Sequence, residues 1–329
     1  MNNTKQLSEI RKHATANNMT SDFAKQLLPI FICPLCKTSL IVESDYMSCK
    51  NKHIVPIQHG IPDFVVFANR SLDEKMAQDH FHDDENINET FDEIVLRPFN
   101  YNKVHANSWL YPLNYFKKTL PQKLGIGLKD TTILNCGCGG GFEAQFLAEQ
   151  GALIIGFDIS RLRAEASATR FGLYNLNGLF YRGDASILPF ADNTFDLVLY
   201  HDSLHHIPIE EIPLAVREAA RVAKKGVVLL EANDSPLRML LETFGLSQSI
   251  EESGNYVFRF KKSLMRFWAI QTGMELVNYT VLFTKKEHRA NFYAIPVLGW
   301  LLYRIIRFIG LFVKPLGNEA CIILKKINT

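Results

Sequence analysis

Ile133-Leu134-Asn135-Cys136-Gly137-Cys138-Gly139-Gly140-Gly141 decides how the rest of this chain is read. An apolar run that opens into alternating glycines describes a strand ending in a turn where bare backbone can approach a ligand. About 20 residues on, a second apolar run ends in Asp158, an acid placed to accept hydrogen bonds from a ribose. Together they imply an adenosine-carrying cofactor lying across the carboxyl ends of a parallel sheet.

Two cofactors suit such a loop. Gly139-Gly140-Gly141-Phe142-Glu143-Ala144 fits the dinucleotide pattern, whereas Gly137, Gly139 and Gly141 fit the loop of S-adenosylmethionine enzymes. Around the loop the sequence alternates. Strands are expected at Thr131–Cys136, Ala152–Asp158, Leu179–Tyr181, Leu197–Tyr200 and Val227–Glu231, with helices at Phe142–Gln150, Arg161–Arg170 and Ile209–Ala223. In the last helix Ile212, Ala215, Val216, Ala219 and Val222 mark one face. Alternation of this kind predicts an α/β fold, a parallel sheet covered on both faces. A helix at Ser263–Thr272, capped by Gly273, and late strands at Met274–Thr284 and Ala320–Lys325 complete the pattern.

Downstream stand Gly183-Asp184-Ala185-Ser186-Ile187-Leu188-Pro189-Phe190, then Asn193-Thr194-Phe195-Asp196, Leu204-His205-His206-Ile207-Pro208 and Arg217-Glu218-Ala219-Ala220-Arg221-Val222. In this order the motifs resemble class I S-adenosylmethionine-dependent methyltransferases, in the branch that mostly methylates small molecules and lipids. The resemblance covers about residues 128–232 and implies a Rossmann-like seven-stranded sheet. It implies that Gly137, Gly139 and Gly141 admit the methionine part of the cofactor, and that Asp158 holds the ribose. Ile159 would pack on the adenine, Asp184 and Ala185 would meet its amino group, and His201 would lie beside the sulfonium. Such enzymes usually carry Asp or Glu where this chain has Asn135, which can accept a hydrogen bond but brings no charge. Cys136 and Cys138 read as packing residues.

Cys33-Pro34-Leu35-Cys36, twelve residues, then Cys49-Lys50-Asn51-Lys52-His53 place four soft ligands in two short loops. Zinc takes such a closed tetrahedral set, and with all four positions filled by protein its role would be structural. The spacing resembles the N-terminal ribbon of bacterial large-subunit rRNA guanine-N1 methyltransferases. The continuation Val55–Phe64 resembles small zinc-ribbon activators of methyltransferases. His59 is a weaker ligand candidate than His53, because a Gly60-Ile61-Pro62 turn already accounts for its position.

The 329 residues are 47% hydrophobic and 21% charged, with a net charge of +2, ordinary for a globular protein with no bulk polyanion partner. Residues 71–93 hold nine acids against one Lys, while residues 259–329 hold twelve Lys or Arg against three Glu. The organisation expected is a helical extension at 1–30, a zinc ribbon at 31–67, an acidic linker at 68–90 and a methyltransferase domain at 91–329. Between Phe91 and Leu124, Pro98, Pro112 and Pro121 suggest several short helices, with Arg97, Tyr101 and Trp109 as lid candidates. An insertion at 285–318 separates the two late strands. Within it Ala294–Val313 is apolar apart from Arg304 and Arg307, so 294–314 reads either as a helix lying in a lipid interface or as an added core helix.

The polar start, Met1 to Asn18, does not look like a secretory signal, and the cysteines do not look like a disulfide framework; a cytoplasmic protein is expected, peripheral at the inner face of a membrane if 294–314 lies in the lipid interface. His201, His205 and His206 are candidate catalytic bases. The first functional reading is methyl transfer to a small apolar or membrane-linked acceptor. An RNA acceptor is the second, motivated by the ribbon and the basic C-terminal part; no Asp/Asn-Pro-Pro-aromatic motif follows the fourth strand. A module that binds the cofactor without turnover, motivated by Asn135, is the third.

Overall fold

The computed structural model describes residues 22–68, 80, 95, 103–234, 258–282 and 317–327. Residues 1–21 of the expected helical extension, nearly all of the acidic linker, Arg97, Tyr101, the side chain of Trp109 and the segment 294–314 lie outside the described residues.

Chain order begins with helix α1 (Asp22–Leu27), a 3-10 turn (Leu28–Ile30) and four short strands, β1 (Leu40–Val42), β2 (Tyr46–Cys49), β3 (Ile54–Gln58) and β4 (Ile61–Pro62). These four pair in sequence as an antiparallel sheet. After α2 (Lys103–Leu124) come β5 (Thr132–Cys136), α3 (Phe142–Glu149), β6 (Leu153–Asp158), α4 (Arg161–Leu173), β7 (Gly178–Arg182) and β8 (Phe195–His201). Then follow α5 (Ile212–Val222), β9 (Ala223–Ala232), α6 (Lys262–Gln271), β10 (Met274–Leu282) and β11 (Glu319–Lys326).

The large sheet has seven strands in the order β10-β11-β9-β8-β5-β6-β7. β9, β8, β5, β6 and β7 run parallel to one another, and β11 is inserted antiparallel between β9 and β10. Each expected strand of the domain is present. Strand order reverses at β5, whose chain moves first toward β6 and β7 and then returns to β8. The crevice outside the carboxyl ends of β5 and β8 is therefore a topological switch point, where ligands bind in open α/β sheets.

Alternation along the strands sends Ile133, Ile154, Phe180, Leu197 and Leu199 to one core with α2, α3 and α4. Leu134, Ile155, Tyr181, Val198 and Tyr200 go to the other, with α5 and α6. The second core also takes in Leu28, Phe31, Met47, Val55 and Phe64 from the N-terminal unit. Residues 183–194, which return the chain from β7 to β8, form no helix. The N-terminal unit covers that sheet face instead: Phe31 stacks on Phe190 with centroids 5.4 Å apart, and Phe64 meets Tyr181 edge-on at 5.6 Å.

The expected set of short helices before Leu124 is corrected by α2, a single helix of 22 residues that contains Pro112 and Pro121. An interior proline costs about 3 kcal/mol. Burying a Leu or Phe side chain returns roughly 1.5–3 kcal/mol, and α2 buries Leu113, Phe116, Leu120 and Leu124 along one stripe. The stripe outweighs the breaks. Helix α5 also ends earlier than expected, because β9 begins at Ala223.

Candidate active site and metal centre

Three glycines shape the turn after β5. Gly137, Gly139 and Gly141 have φ of 64°, 51° and 79°, a region that side chains adopt only with strain. A Cβ on Gly137 would sit 2.6 Å from Cβ of Ser203, and one on Gly141 would meet Ser167 at 3.0–3.3 Å. Gly139 differs, since a Cβ there meets nothing within 4 Å. Gly137 and Gly141 are thus required by the fold, whereas Gly139 borders open space.

Asp158 closes this turn. Its carboxylate accepts from the backbone N–H of Gly139 at 2.9 Å and of Ser160 at 3.0 Å. Burial raises its pKa, and those two N–H groups pull it back down. Ile159, next in sequence, is half-buried. Asp184, beyond β7, accepts from both the N–H and the hydroxyl of Ser186 at 2.8 and 2.7 Å, and Ala185 is buried beside it. His201 is buried at the end of β8. The sequence-derived cofactor residues therefore converge on the carboxyl ends of β5, β6, β7 and β8.

The histidine segment is anchored from β9. Glu231 Oε1 accepts from the N–H groups of Ser203 and Leu204 at 2.9 and 2.8 Å, and Oε2 lies 2.6 Å from Nδ1 of His205. His206 lies against His205, ring centroids 4.3 Å apart. Asp202, His205 and Glu231 also bring ligand-type atoms within 4.8 Å of one another. Glu231, however, already serves two N–H groups and an imidazole, so the arrangement is a hydrogen-bonded His–Glu pair.

In the ribbon, Cys33, Cys36, Cys49 and His53 bring their ligand atoms within 4.8 Å of one another. Sγ of Cys33 is 3.3 Å from Nδ1 of His53, and Sγ of Cys36 is 3.5 Å from Sγ of Cys49. Tetrahedral zinc–thiolate bonds of about 2.3 Å would place sulfurs about 3.8 Å apart, so the cluster is close to the size such an ion needs. Lys37 and Lys52 turn the two knuckles at φ of 57° and 64°. The Thr38 hydroxyl, 3.1 Å from Cys36, lowers that thiol to about 6, while burial raises Cys33. His59 stands apart and pairs with Glu165 of α4 at 2.9 Å.

Residues 134–230 match a protein family described as a methyltransferase domain. The fold is that of magnesium protoporphyrin IX methyltransferase from Synechocystis PCC 6803, solved with bound SAH: the TM-score is 0.52 at 17% identity, over 78% of this chain and all of that one. The chain carries a class I methyltransferase domain.

Curated relatives share this domain. A fatty-acid O-methyltransferase from Mycolicibacterium smegmatis is 30% identical over 188 residues, 50% of this chain and 66% of that protein. A phthiotriol/phenolphthiotriol dimycocerosates methyltransferase from Mycobacterium ulcerans is 34% identical over 120 residues, 36% of this chain and 42% of that protein. A ubiquinone biosynthesis O-methyltransferase from Coxiella burnetii is 31% identical over 101 residues, covering 31% and 42%. The chain thus spans between about four tenths and two thirds of these relatives' lengths.

Several residues that shape the crevice carry no motif that marks them as site residues in the sequence. Ser167 donates to the carbonyl of Gly139 at 2.9 Å, and the wholly buried Arg170 donates to that of Gly140 at 2.7 Å while its guanidinium lies 3.9 Å over the Phe142 ring. Their spacing on α4 is i, i+3, the one hint available in sequence. Arg221 holds the carbonyls of Phe190 and Leu188 at 2.7 and 3.2 Å, and Glu218 accepts from the N–H of Leu188 at 2.9 Å. The Arg217–Val222 motif therefore clamps the loop that carries Asp184. Cys136 and Cys138 are fully buried and burial raises both thiols, as packing residues require.

Proposed function

We propose that this protein transfers a methyl group from S-adenosylmethionine to a small, apolar or membrane-linked acceptor. The observation that carries the reading is the crevice itself, where Gly139 borders open space and Asp158 is fixed by the Gly139 and Ser160 N–H groups. Bare peptide at one end and buried carboxyls at the other suit an adenosine-bearing cation. Gly137, Gly139 and Gly141 would face its methionine part, and Asp158 its ribose. Ile159, Asp184 and Ala185 would face the adenine, with His201 near the sulfonium.

When bound, the cofactor supplies an electrophilic methyl carbon and leaves as a neutral thioether. The chain's own part is positioning, water exclusion and proton removal. Glu231 accepts from Nδ1–H of His205, which fixes the tautomer and leaves Nε2 as the nitrogen able to take a proton from an acceptor hydroxyl or amine. His206 stacks beside it. Curated relatives named for fatty-acid, lipid and ubiquinone-pathway methylation support a small lipid-like acceptor.

The ribbon is proposed to hold one structural zinc through Cys33, Cys36, Cys49 and His53. Among the described residues no helix is long and apolar enough to cross a membrane.

Purified protein incubated with labelled donor and separate lipid, small-metabolite and RNA fractions tests the acceptor class. Label is expected in the lipid or metabolite fraction. Label confined to RNA would replace the acceptor assignment, and donor binding without any turnover would reduce the domain to a binding module. Elemental analysis is expected to give one zinc per chain, lost in Cys36→Ser.

A further inference from the structure

Asn135, one residue before the end of β5, is wholly buried, and neither atom of its amide reaches a hydrogen-bond partner. Beside it stands Glu143, second residue of α3 and only 4% exposed. Among the described residues no cation pairs with Glu143. Its neighbours are instead acidic: burial, reinforced by Asp202 and Asp158 at the ends of β8 and β6, pushes its carboxyl up to about 8. The Asn135 amide is close enough to favour its charged form.

A buried carboxyl beside a buried amide that lacks a partner is costly unless a ligand completes the pair. Between them they present three acceptor oxygens at the glycine turn. A matching ligand group carries a positive charge and several N–H donors. The cofactor proposed above has two cationic centres. Its sulfonium has no hydrogen to donate, whereas its amino-acid ammonium has three.

Resting on that cofactor reading, we propose that Glu143 and Asn135 together form the seat of the cofactor's α-ammonium, with Glu143 supplying the negative charge that Asn135 lacks. The charge is displaced from the strand end to the first turn of the following helix. Glu143 is thus a cofactor-binding residue, and Asn135 fills out its donor and acceptor geometry.

Isothermal titration of the full-length, zinc-loaded protein with three probes tests this. S-adenosylmethionine and S-adenosylhomocysteine both carry the ammonium, whereas 5′-methylthioadenosine keeps the adenosine and thioether without it. Glu143→Gln is expected to weaken the first two by a similar factor, about tenfold or more, and to leave methylthioadenosine within about twofold. Asn135→Asp added to Glu143→Gln is expected to restore much of the loss. Weakening of S-adenosylmethionine alone would assign the charge to the sulfonium and overturn the proposal. Equal loss of all three probes, or no loss of any, would overturn it too. A wild-type protein that binds none of the three would instead remove the cofactor reading on which it rests.

Discussion

Asp63, from the ribbon, accepts from the guanidinium of Arg182 at 3.1 Å, and both side chains are nearly buried. Arg182 also donates through Nε to the carbonyl of Ile159 at 2.8 Å, and Asp63 takes a second guanidinium, Arg161, at 2.7 Å. Gln58 accepts from the same Arg161. The turn that follows Asp158 is therefore fastened from outside the sheet by the N-terminal unit.

Asp63→Ala should strip two arginines of their carboxylate at once. Removing one partner of a buried pair typically costs on the order of 3–5 kcal/mol, and a loss toward the lower end is expected because Arg161 is partly exposed. Affinity for methylthioadenosine, which reports the adenosine end alone, should fall with stability. Denaturant melts read the first effect and titration the second. Lost stability with unchanged affinity would show that the ribbon supports the fold without supporting the site.

Removal of the proposed zinc should act along the same route. The ribbon's Phe31 and Phe64 belong to the sheet core, so loosening the knuckles would unseat the aromatic cluster around Tyr181. Chelation by a strong zinc ligand is expected to lower the melting temperature of the whole protein in one transition, reversed by adding zinc. Two separate transitions would mean that the ribbon melts independently of the domain.

Substitutions at the glycine turn should divide by what a methyl group would meet. Gly137→Ala would push against Ser203, whose hydroxyl donates to the carbonyl of Cys136 at 2.8 Å, so it is expected to impair folding. Gly139→Ala meets no protein atom, so it should cost only about 1 kcal/mol of backbone strain while its methyl intrudes on the cofactor. Melting curves and donor titrations of the two variants check this: stability should fall more in the first, and binding relative to stability more in the second.

The parts legible in sequence were local. Strand ends, the glycine turn and Asp158 announce themselves because an apolar run, a breaker and an acid lie within a few residues of one another. The Cys33, Cys36, Cys49 and His53 cluster is legible for the same reason. The docking of the ribbon was not, since Asp63 and Arg182 are 119 residues apart and each looks like an ordinary surface charge. Glu143 does not stand out in the sequence, because an acid in the first turn of a helix is normal on electrostatic grounds alone. Pro112 misled in the other direction: breaker chemistry was visible, but the four-residue apolar stripe that overrides it acquires meaning only once β11 and β9 are there to receive α2.

The His205–Glu231 pair makes a statement about the acceptor. A hydroxyl or amine must lose a proton on methylation, whereas a carboxylate arrives already deprotonated. If the acceptor is a hydroxyl or amine, His205→Gln should lower kcat by about 10²–10⁴-fold with little change in donor affinity. Glu231→Gln should lower kcat less while shifting the acidic limb of the pH–rate profile. Activity of His205→Gln near that of the parent would point to a carboxylate acceptor, or to a base elsewhere.

Glu143 should give the ligand-free and ligand-bound proteins opposite responses to pH. Its folded-state pKa, about 8, lies above the ordinary carboxyl value of 4.5. The folded state therefore holds this proton more tightly than the unfolded chain, and the resulting stability is fully present below 4.5, is lost as pH rises toward 8, and is level above that. Burial also raises Asp158, against the pull of the Ser160 and Gly139 N–H groups, and so it contributes with the same sign. Glu143→Gln should accordingly flatten the decline of melting temperature between pH 5 and 8 without abolishing it. Binding of an ammonium needs the carboxylate instead, so affinity for S-adenosylhomocysteine should rise over the same interval and one proton should be released on binding. Titrations in buffers of different ionisation enthalpy count that proton. A proton count unchanged by Glu143→Gln would mean that this carboxyl does not titrate with the ligand.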